Sequence, residues 1–510
     1  MNNKKRLMIN LIASFIAFTV QMGISFLLTP YIVRRLGSEA FGFISLANDF
    51  VNYASLMTLA LNAMASRFIA INLFRDDKKS ANEYYNSTFF ANIFLVSLLL
   101  SVAIILTVYL ERIVEIPANL VSEVKLTFAI VFINFGISIF TSMYTIGFFI
   151  RNRLDKSSVI AIKSTLLKAV VIIFLYLCFK PKIIFAVLAV LLASIYSLIK
   201  NIEFQNKNLP EVVLDKKYFK ISKIKELLAV GIWNVITKLS QILTSGLDLL
   251  MSNVLIGATQ MGVLSIAKTV PNVIILLNST LANIFNPDLT KLYALKQKQE
   301  LVGQIKISMK FISMTTAISN ATLIAFGYEF FSLWVPTQDA GLIQVLSILT
   351  VVNSCITGPL QPIYSIITIA NRVKTSSKVM LVYGVVNCLI TLFAVKYTSL
   401  GLYAIAGVSL IGSLVVSIFF YLPFGAKCLE LEWYAFFPDI GRSIIAFLVI
   451  IISGVLFNSL VNITSWMQLV FYGCTSAGIG SLINIFVVLD KKERVFFKNI
   501  VINKLKEVKK

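Results

Sequence analysis

Long apolar runs alternate with short polar breaks along the whole chain. A run of about 18 apolar residues or more is long enough to cross a hydrocarbon core of roughly 30 Å as an α-helix. We therefore predict an all-α integral membrane protein with about fourteen transmembrane helices. The predicted spans are residues 9–33, 41–67, 84–110, 128–150, 159–179, 183–199, 227–256, 261–286, 310–335, 342–370, 379–395, 400–424, 440–461 and 466–489.

The polar breaks divide these helices into groups. The break that contains Pro210 and many Lys residues follows the sixth predicted helix. The predicted organisation is an N-terminal six-helix lobe at 1–200, a cytoplasmic inter-lobe segment at 201–226, a C-terminal six-helix lobe at 227–425, two additional transmembrane helices at 426–489 and a basic cytoplasmic tail at 490–510. In the tail, Phe497, Val501, Leu505 and Val508 recur at helical spacing among lysines, which is typical of an amphipathic helix on an anionic membrane surface. A frayed, solvated tail is the alternative.

The sequence matches itself at an offset of 220 residues. The first copy contains Gly37, Gly42, Ser45, Ala47 and Asn52, and the second contains Gly257, Gly262, Ser265, Ala267 and Asn272. Gln21 likewise falls on Gln241. Because the copies lie six helices apart, they point the same way, and the repeat predicts two lobes related by an axis along the membrane normal. A chance match between two apolar segments is the alternative.

Composition supports the membrane assignment and limits the partners. Hydrophobic residues make up 58% of the chain and charged residues 14%, with a mean hydropathy of +0.85. The net charge is +22, but Lys and Arg lie between the apolar runs and form no dense basic domain for nucleic acid. With the N-terminus inside, most of them fall in cytoplasmic segments, so we predict that both termini are cytoplasmic.

The residue types needed for common catalytic and metal sites are scarce. The chain has no His, and its five Cys are isolated in apolar segments without CxxC spacing. No phosphate-binding loop of the GxxxxGKS or GxxxxGKT type and no paired carboxylates in a loop are present. We predict a transporter without enzymatic activity, cofactor or metal.

Polar side chains recur on single faces of the predicted helices that begin each copy of the repeat. The predicted polar lining of a central lumen is Gln21, Asn48, Asn52, Gln241 and Asn272. Amides that faced lipid would lack hydrogen-bond partners, which favours a lumen. For each one separately, an interhelical hydrogen bond is the alternative.

Charged residues inside the spans are costly and need an explanation. At a rise of about 1.5 Å per residue, Lys168 and Lys238 lie near mid-depth, and Lys268 lies in the outer half. We predict that these lysines bind an anionic head group, for which Lys serves as a compact point charge. Asp49 and Asp248 lie at depths similar to Lys268 and are predicted as gate or ion-coupling acids, and a structural ion pair with Lys268 is the alternative.

Other features of the spans concern helix ends and bends. Lys163, Lys310, Arg442 and Arg67 lie near helix ends, where we expect them to extend towards the interface. Pro271 and the Gly358, Pro359, Pro362 cluster predict bent helices.

Four segments carry a resemblance to a known family. They are LLTPYIVRRLGSEAFG (Leu27–Gly42), LNAMASRFIA (Leu61–Ala70), the stretch from ELLAVGIWNV to VLSIA (Glu226–Ala267) and NPDLTKLY (Asn286–Tyr293). They resemble the polysaccharide-unit flippases, including the O-antigen type, of the multidrug/oligosaccharidyl-lipid/polysaccharide exporter superfamily. The resemblance implies a V-shaped two-lobe fold in the bacterial cytoplasmic membrane. It also implies a cationic lumen and a basic substrate-binding role for Arg67 in the SRF run.

By this resemblance, the substrate is an undecaprenyl-diphosphate-linked oligosaccharide that moves from the inner to the outer leaflet by alternating access, for surface polysaccharide assembly. The predicted partners are this polyprenyl-diphosphate-linked glycan, membrane lipids, a polysaccharide polymerase and glycosyltransferases. One alternative is an ion-coupled exporter of cationic drugs that uses Asp49 and Asp248, although the deep charges are mainly positive. Another is a membrane glycosyltransferase or polymerase, which requires a sizeable outer loop with catalytic acids.

Overall fold

A computed structural model describes residues 3–490 and 494 of the chain. The predicted amphipathic tail therefore lies outside the described residues. The chain folds into two compact units. Unit 1 comprises Met1–Ser265 with Met380–Cys388, and unit 2 comprises Ile266–Val379 with Leu389–Lys510. The lobe boundaries inferred from the sequence remain a prediction.

Unit 1 is built from long helices joined by short turns. Its helices are α1 (Asn3–Leu36), α2 (Ser38–Ala54), α3 (Leu56–Phe74), α4 (Lys78–Val108), α5 (Val121–Tyr144), α6 (Ile146–Ile150), α7 (Leu154–Cys178), α8 (Ile183–Asn208), α9 (Ile221–Gln241) and α10 (Asp248–Leu255). A π-helical turn, Ile242–Gly246, joins the last two, and short 3-10 turns lie at Leu110–Arg112 and Lys216–Tyr218. Helix α11 (Ala258–Ala294) begins in unit 1 and continues into unit 2.

Unit 2 contains the remaining helices. They are α12 (Lys298–Trp334), α13 (Ala340–Val351), α14 (Ser354–Thr357), α15 (Gln361–Ile369), α16 (Val373–Tyr397), α17 (Leu402–Val416), α18 (Leu422–Cys428), α19 (Phe437–Ser459) and α20 (Trp466–Val487). A π-helical turn, Ser417–Tyr421, lies between α17 and α18. The middle of α16 belongs to unit 1.

The predicted all-α membrane fold is confirmed. Among the described residues, 13 helical spans are long and apolar enough to cross a membrane. Helix α12, which has 37 residues and packs along α19 and α20, is not one of them, so the fourteenth predicted span stays a prediction. Large apolar side chains such as Phe94 and Leu177 point outwards with 69% of their surface exposed, as expected for helices surrounded by lipid.

The predicted bend in the tenth span is confirmed as a break into three helices. Helix α13 ends at Val351, α14 is a single turn, and α15 begins at Gln361. Pro359 has no amide hydrogen, and Pro362 lies in the first turn of α15, where that loss costs little.

Apolar clusters hold each unit together. In unit 1, Leu61, Ile69, Tyr84 and Leu227 join α3, α4 and α9 in one buried cluster. In unit 2, Ala317, Ala321, Phe447 and Ile450 join α12 and α19 in another. At about 25 cal/mol per Å² of buried apolar surface, such clusters supply the packing that positions the polar groups described below.

Candidate functional site

The two copies of the repeat touch through equivalent residues. Helix α2 meets the first turns of α11, and both belong to unit 1. We name the contacts of Glu39 with Thr259, Gly42 with Gly262 and Ser45 with Ser265 the glycine seam. The Thr259 hydroxyl donates a hydrogen bond to the Glu39 carboxylate, and the Ser45 and Ser265 hydroxyl oxygens lie 2.6 Å apart. Each pair is separated by 220 residues, which is the offset of the repeat.

Glycine is required at the seam because the two backbones are in contact. A methyl group at Gly42 would lie 2.8 Å from the Cα atom of Gly262, and one at Gly262 would overlap the carbonyl group of Ser38. The turns that lead into the seam also use glycine, since Gly37 and Gly257 have φ angles of 89° and 142°. Residues at equivalent positions of the two sequence copies are therefore in contact, and the axis that relates the copies stays a prediction.

A second close approach joins α3 to α9. A methyl group at Gly231 would overlap the carbonyl group of Ala60. We name this contact the linker crossing. Farther along, the Tyr53 hydroxyl donates a 2.6 Å hydrogen bond to the carbonyl of Gly246 in the π-helical turn. Helices α2, α3 and α9 are thus fixed to one another within unit 1.

The segment that precedes α9 is held by two asparagines of α4. Asn82 donates to the carbonyl of Glu211 and accepts from the amide of Val213, both at 2.8 Å. Asn86 donates to the carbonyl of Val213 and accepts from the amide of Asp215, again at 2.8 Å. We name this set of four bonds the asparagine ladder.

Neighbouring residues extend the same attachment. Ser87 accepts a 2.8 Å hydrogen bond from the amide of Lys220, whose ammonium lies 2.5 Å from the buried carboxylate of Glu83. These contacts explain why α4 begins at Lys78, before the predicted span at residue 84. Its first turns are polar because they bind the linker.

A partly enclosed cavity of about 170 Å³ lies among α1, α2, α5, α7 and α8 of unit 1. We name it the Lys168 cavity. Its polar lining is Ser25, Thr29, Asn48, Asn134 and Lys168, and the rest of its lining is apolar. Lys168 and Asn48, both predicted as lumen residues, therefore meet in one place.

The other predicted lumen residues lie outside this cavity. In unit 1, Gln21 and Lys238 are half-buried, whereas Asn52, Gln241 and Arg67 are exposed. Lys268, which is half-buried, and Asn272, which is exposed, belong to unit 2. Their substrate-binding roles stay predictions.

The two predicted gate or coupling acids lie near one tyrosine. Asp49 is half-buried and Asp248 is buried, with 8% of its surface exposed. Both carboxylates act electrostatically on Tyr53, and Asp248 also acts on Tyr383. This places the two acids in the same part of unit 1.

The prediction for Lys310 is wrong. The sequence places it near a helix end and predicts extension to the interface, yet its side chain is 6% exposed and lies 3.3 Å from the carboxylate of Asp490. Arg442 binds the same carboxylate at 3.0 Å. The partner lies 180 residues away, so no local pattern identifies it. Asn134 is not among the predicted lumen residues for a similar reason, because only the fold brings α5 to the cavity.

Comparisons with known proteins agree on family and fold. Residues 7–287 match the family described as "Polysaccharide biosynthesis protein". The uncharacterized membrane protein EpsK of Bacillus subtilis (strain 168) is 26% identical over 491 residues, which cover 95% of this chain and 96% of that protein.

Two solved structures share the fold at low sequence identity. An inward-facing multidrug resistance MATE family transporter of the MOP superfamily aligns with a TM-score of 0.69 and 16% identity, over 83% of this chain and 97% of that one. The lipid II flippase MurJ in an inward closed conformation aligns with a TM-score of 0.65 and 14% identity, over 97% of this chain and 100% of that one. The expected resemblance to this superfamily is confirmed. With more than half of its length matched, this multi-pass membrane protein belongs to the polysaccharide biosynthesis protein family.

Proposed function

We propose that this protein moves an oligosaccharide linked to undecaprenyl diphosphate from the inner to the outer leaflet of the bacterial cytoplasmic membrane, for surface polysaccharide assembly. Membership of a polysaccharide biosynthesis family supports a glycan substrate. A fold shared with a lipid II flippase and with transporters supports movement across the membrane without covalent chemistry.

The glycine seam is the observation that carries the proposed mechanism. Alternating access requires helices that separate and rejoin at small cost. The seam includes backbone contact at two glycines and two side-chain hydrogen bonds, one of them to the Glu39 carboxylate. With both termini in the cytoplasm, the seam lies on the outer side, where its opening releases the substrate.

Four basic residues are proposed to bind the anionic part of the substrate. They are Arg67, Lys168, Lys238 and Lys268. Amides at Gln21, Asn48, Asn52, Gln241 and Asn272 are proposed to line the same route, and Asp49 with Asp248 to gate it or couple it to an ion. A polysaccharide polymerase and glycosyltransferases would act on the glycan after and before transport.

The test is export of surface glycan by cells whose own copy of the gene is deleted. We expect Arg67→Ala, Lys168→Ala, Lys238→Ala and Lys268→Ala each to lower glycan export at unchanged protein level, with Lys163→Ala as the control because Lys163 is exposed on the same helix as Lys168. Normal glycan export by a variant that carries all four substitutions would refute the proposed role of these basic residues in substrate binding. Normal glycan with new sensitivity to cationic drugs after deletion would identify an exporter instead.

A further inference from the structure

The Lys168 cavity offers hydrogen-bond donors that no described residue uses. The Lys168 ammonium, the Ser25 hydroxyl and the Asn134 amide nitrogen form no hydrogen bond to the part of the chain that the structure describes. The buried side-chain oxygen of Asn134, Oδ1, also lacks a hydrogen-bond partner among the described residues. Asn48 donates one hydrogen to the carbonyl of Ile44 and keeps a second. These groups come from four different helices and converge on one space.

No acid accompanies the ammonium. The described lining of the cavity contains no carboxylate, and no described charged group acts electrostatically on Lys168. The remaining wall is apolar and includes Leu28, Ile44 and Val187. This arrangement contrasts with Lys310, which is compensated by Asp490.

A bound anion would stabilise the Lys168 ammonium in these surroundings. Lys168 is half-buried, and a charge partly removed from water without a partner is unfavourable, more so inside a membrane. Ammonium, hydroxyl and amide donors together match the several oxygen acceptors of a phosphate group, and Lys commonly binds phosphate as a point charge.

Size restricts the occupant. The cavity of about 170 Å³ equals the space of about six water molecules at about 30 Å³ each. One phosphate group with a few waters fits this volume, whereas an oligosaccharide does not.

We propose that the Lys168 cavity binds a single phosphate-type oxyanion, held by Lys168 and Asn134, and that it does not accommodate the oligosaccharide. The phosphate comes either from a polyprenyl phosphate or diphosphate or from the free inorganic ion. The proposal deepens the proposed function by separating a phosphate site in unit 1 from the glycan route, but its test contains no glycan and no transport step.

The test is ligand-dependent thermal stability of the purified full-length protein in detergent, in a sodium HEPES buffer of constant ionic strength. Three probes are titrated separately: inorganic phosphate, inorganic pyrophosphate and undecaprenyl phosphate. The variants are Lys168→Met, Lys168→Arg and Asn134→Ala, and Lys163→Met is the matched control because it removes an exposed lysine from the same helix.

We expect at least one probe to raise the melting temperature of the wild type and of the control with the same apparent affinity. Lys168→Met should weaken that affinity by about tenfold or more, as loss of a charged hydrogen bond does, and Asn134→Ala by less. Lys168→Arg should retain most of it. Stabilisation by inorganic ions identifies a free-ion site, and stabilisation by the lipid alone identifies a lipid phosphate site.

Two results would overturn the proposal. One is the absence of stabilisation by all three probes, and the other is stabilisation that Lys168→Met leaves unchanged. Because Lys168→Met replaces a charge by an apolar side chain, its own fold should be retained, and its melting temperature without probe verifies this. If either of these results is obtained but Lys238→Ala still reduces glycan export, the phosphate site is refuted and the flippase proposal is retained.

Discussion

The glycine seam and the linker crossing both join the first repeat to the start of the second, yet they are built differently. At the seam, equivalent residues pair, and side chains supply two hydrogen bonds. At the crossing, Ala60 meets Gly231, which is not its equivalent at the repeat offset, and the asparagine ladder fixes the chain beside it. In the mechanism proposed above the seam opens, whereas the crossing and the ladder hold α9 in place.

The largest expected effect comes from locking the seam. The double variant Ser45→Cys, Ser265→Cys, made in a background with the five native cysteines replaced, should form a disulfide, because the two hydroxyl oxygens lie 2.6 Å apart. We expect oxidation to abolish glycan export almost completely and reduction to restore it. Export is measured before and after addition of reductant, and the single variants are controls. Full export by cross-linked protein would show that the seam does not open.

The next effect compares the two glycine contacts. Gly231→Ala forces a methyl group into the backbone of Ala60 in mid-helix, so the free energy of unfolding should fall by about 1–3 kcal/mol. A methyl group at Gly262 overlaps the carbonyl group of Ser38 less deeply than one at Gly231 overlaps that of Ala60, and Ser38 is the first residue of α2, so a smaller loss is expected. Thermal melting measures both, with Gly303→Ala as the control because a methyl group there meets no neighbour within 4 Å. Equal losses of unfolding free energy in Gly231→Ala and Gly262→Ala would show that the two glycine contacts are equally rigid.

The asparagine ladder gives a third, intermediate effect. Asn82→Ala removes the part-buried hydrogen bonds to the carbonyl of Glu211 and from the amide of Val213, at a cost of about 0.5–1.5 kcal/mol each. We expect faster trypsin cleavage after Lys216 and Lys217, which are exposed in the segment that the ladder holds. Asn72→Ala is the matched control, since its side chain bonds only within its own helix. Unchanged cleavage would mean that other contacts hold the linker.

The smallest effect is a pH dependence confined to the linker. A hydrogen bond from its own backbone and the ion pair with Arg151 hold the pKa of Glu211 below its usual value of 4.5, against the opposing effect of burial. Its contribution to stability is therefore present above pH 4.5 and is lost as the pH falls through the lower folded-state pKa. The difference in melting temperature between wild type and Glu211→Gln should be small at neutral pH and vanish in acid. A difference that grows in acid would contradict this sign.

Sequence alone predicts the helices and the repeat because both depend on local composition and spacing. Gly37, Gly42 and Ser45 mark the repeat through a fixed offset, but contact between the copies follows only from the fold. The depth of Lys168 follows from its place in a span, whereas its neighbour Asn134 comes from another helix. The bond from Asn82 to Glu211 and the pairing of Lys310 with Asp490 join residues that are 129 and 180 positions apart in the sequence. The periodicity of the sequence does not predict contacts at such separations.

At the glycine seam, each residue contacts its own equivalent in the other copy of the repeat, and this pairing is informative about the origin of a two-copy chain. Two surfaces that pair residue i with its own equivalent form an isologous contact, the kind that two identical chains make across a two-fold axis. Glu39, Gly42 and Ser45 face Thr259, Gly262 and Ser265 in this way. A half-length ancestor with one copy of this face would already have carried both sides of its own dimer interface. Tandem duplication of such an ancestor would need no newly evolved surface to keep the halves together.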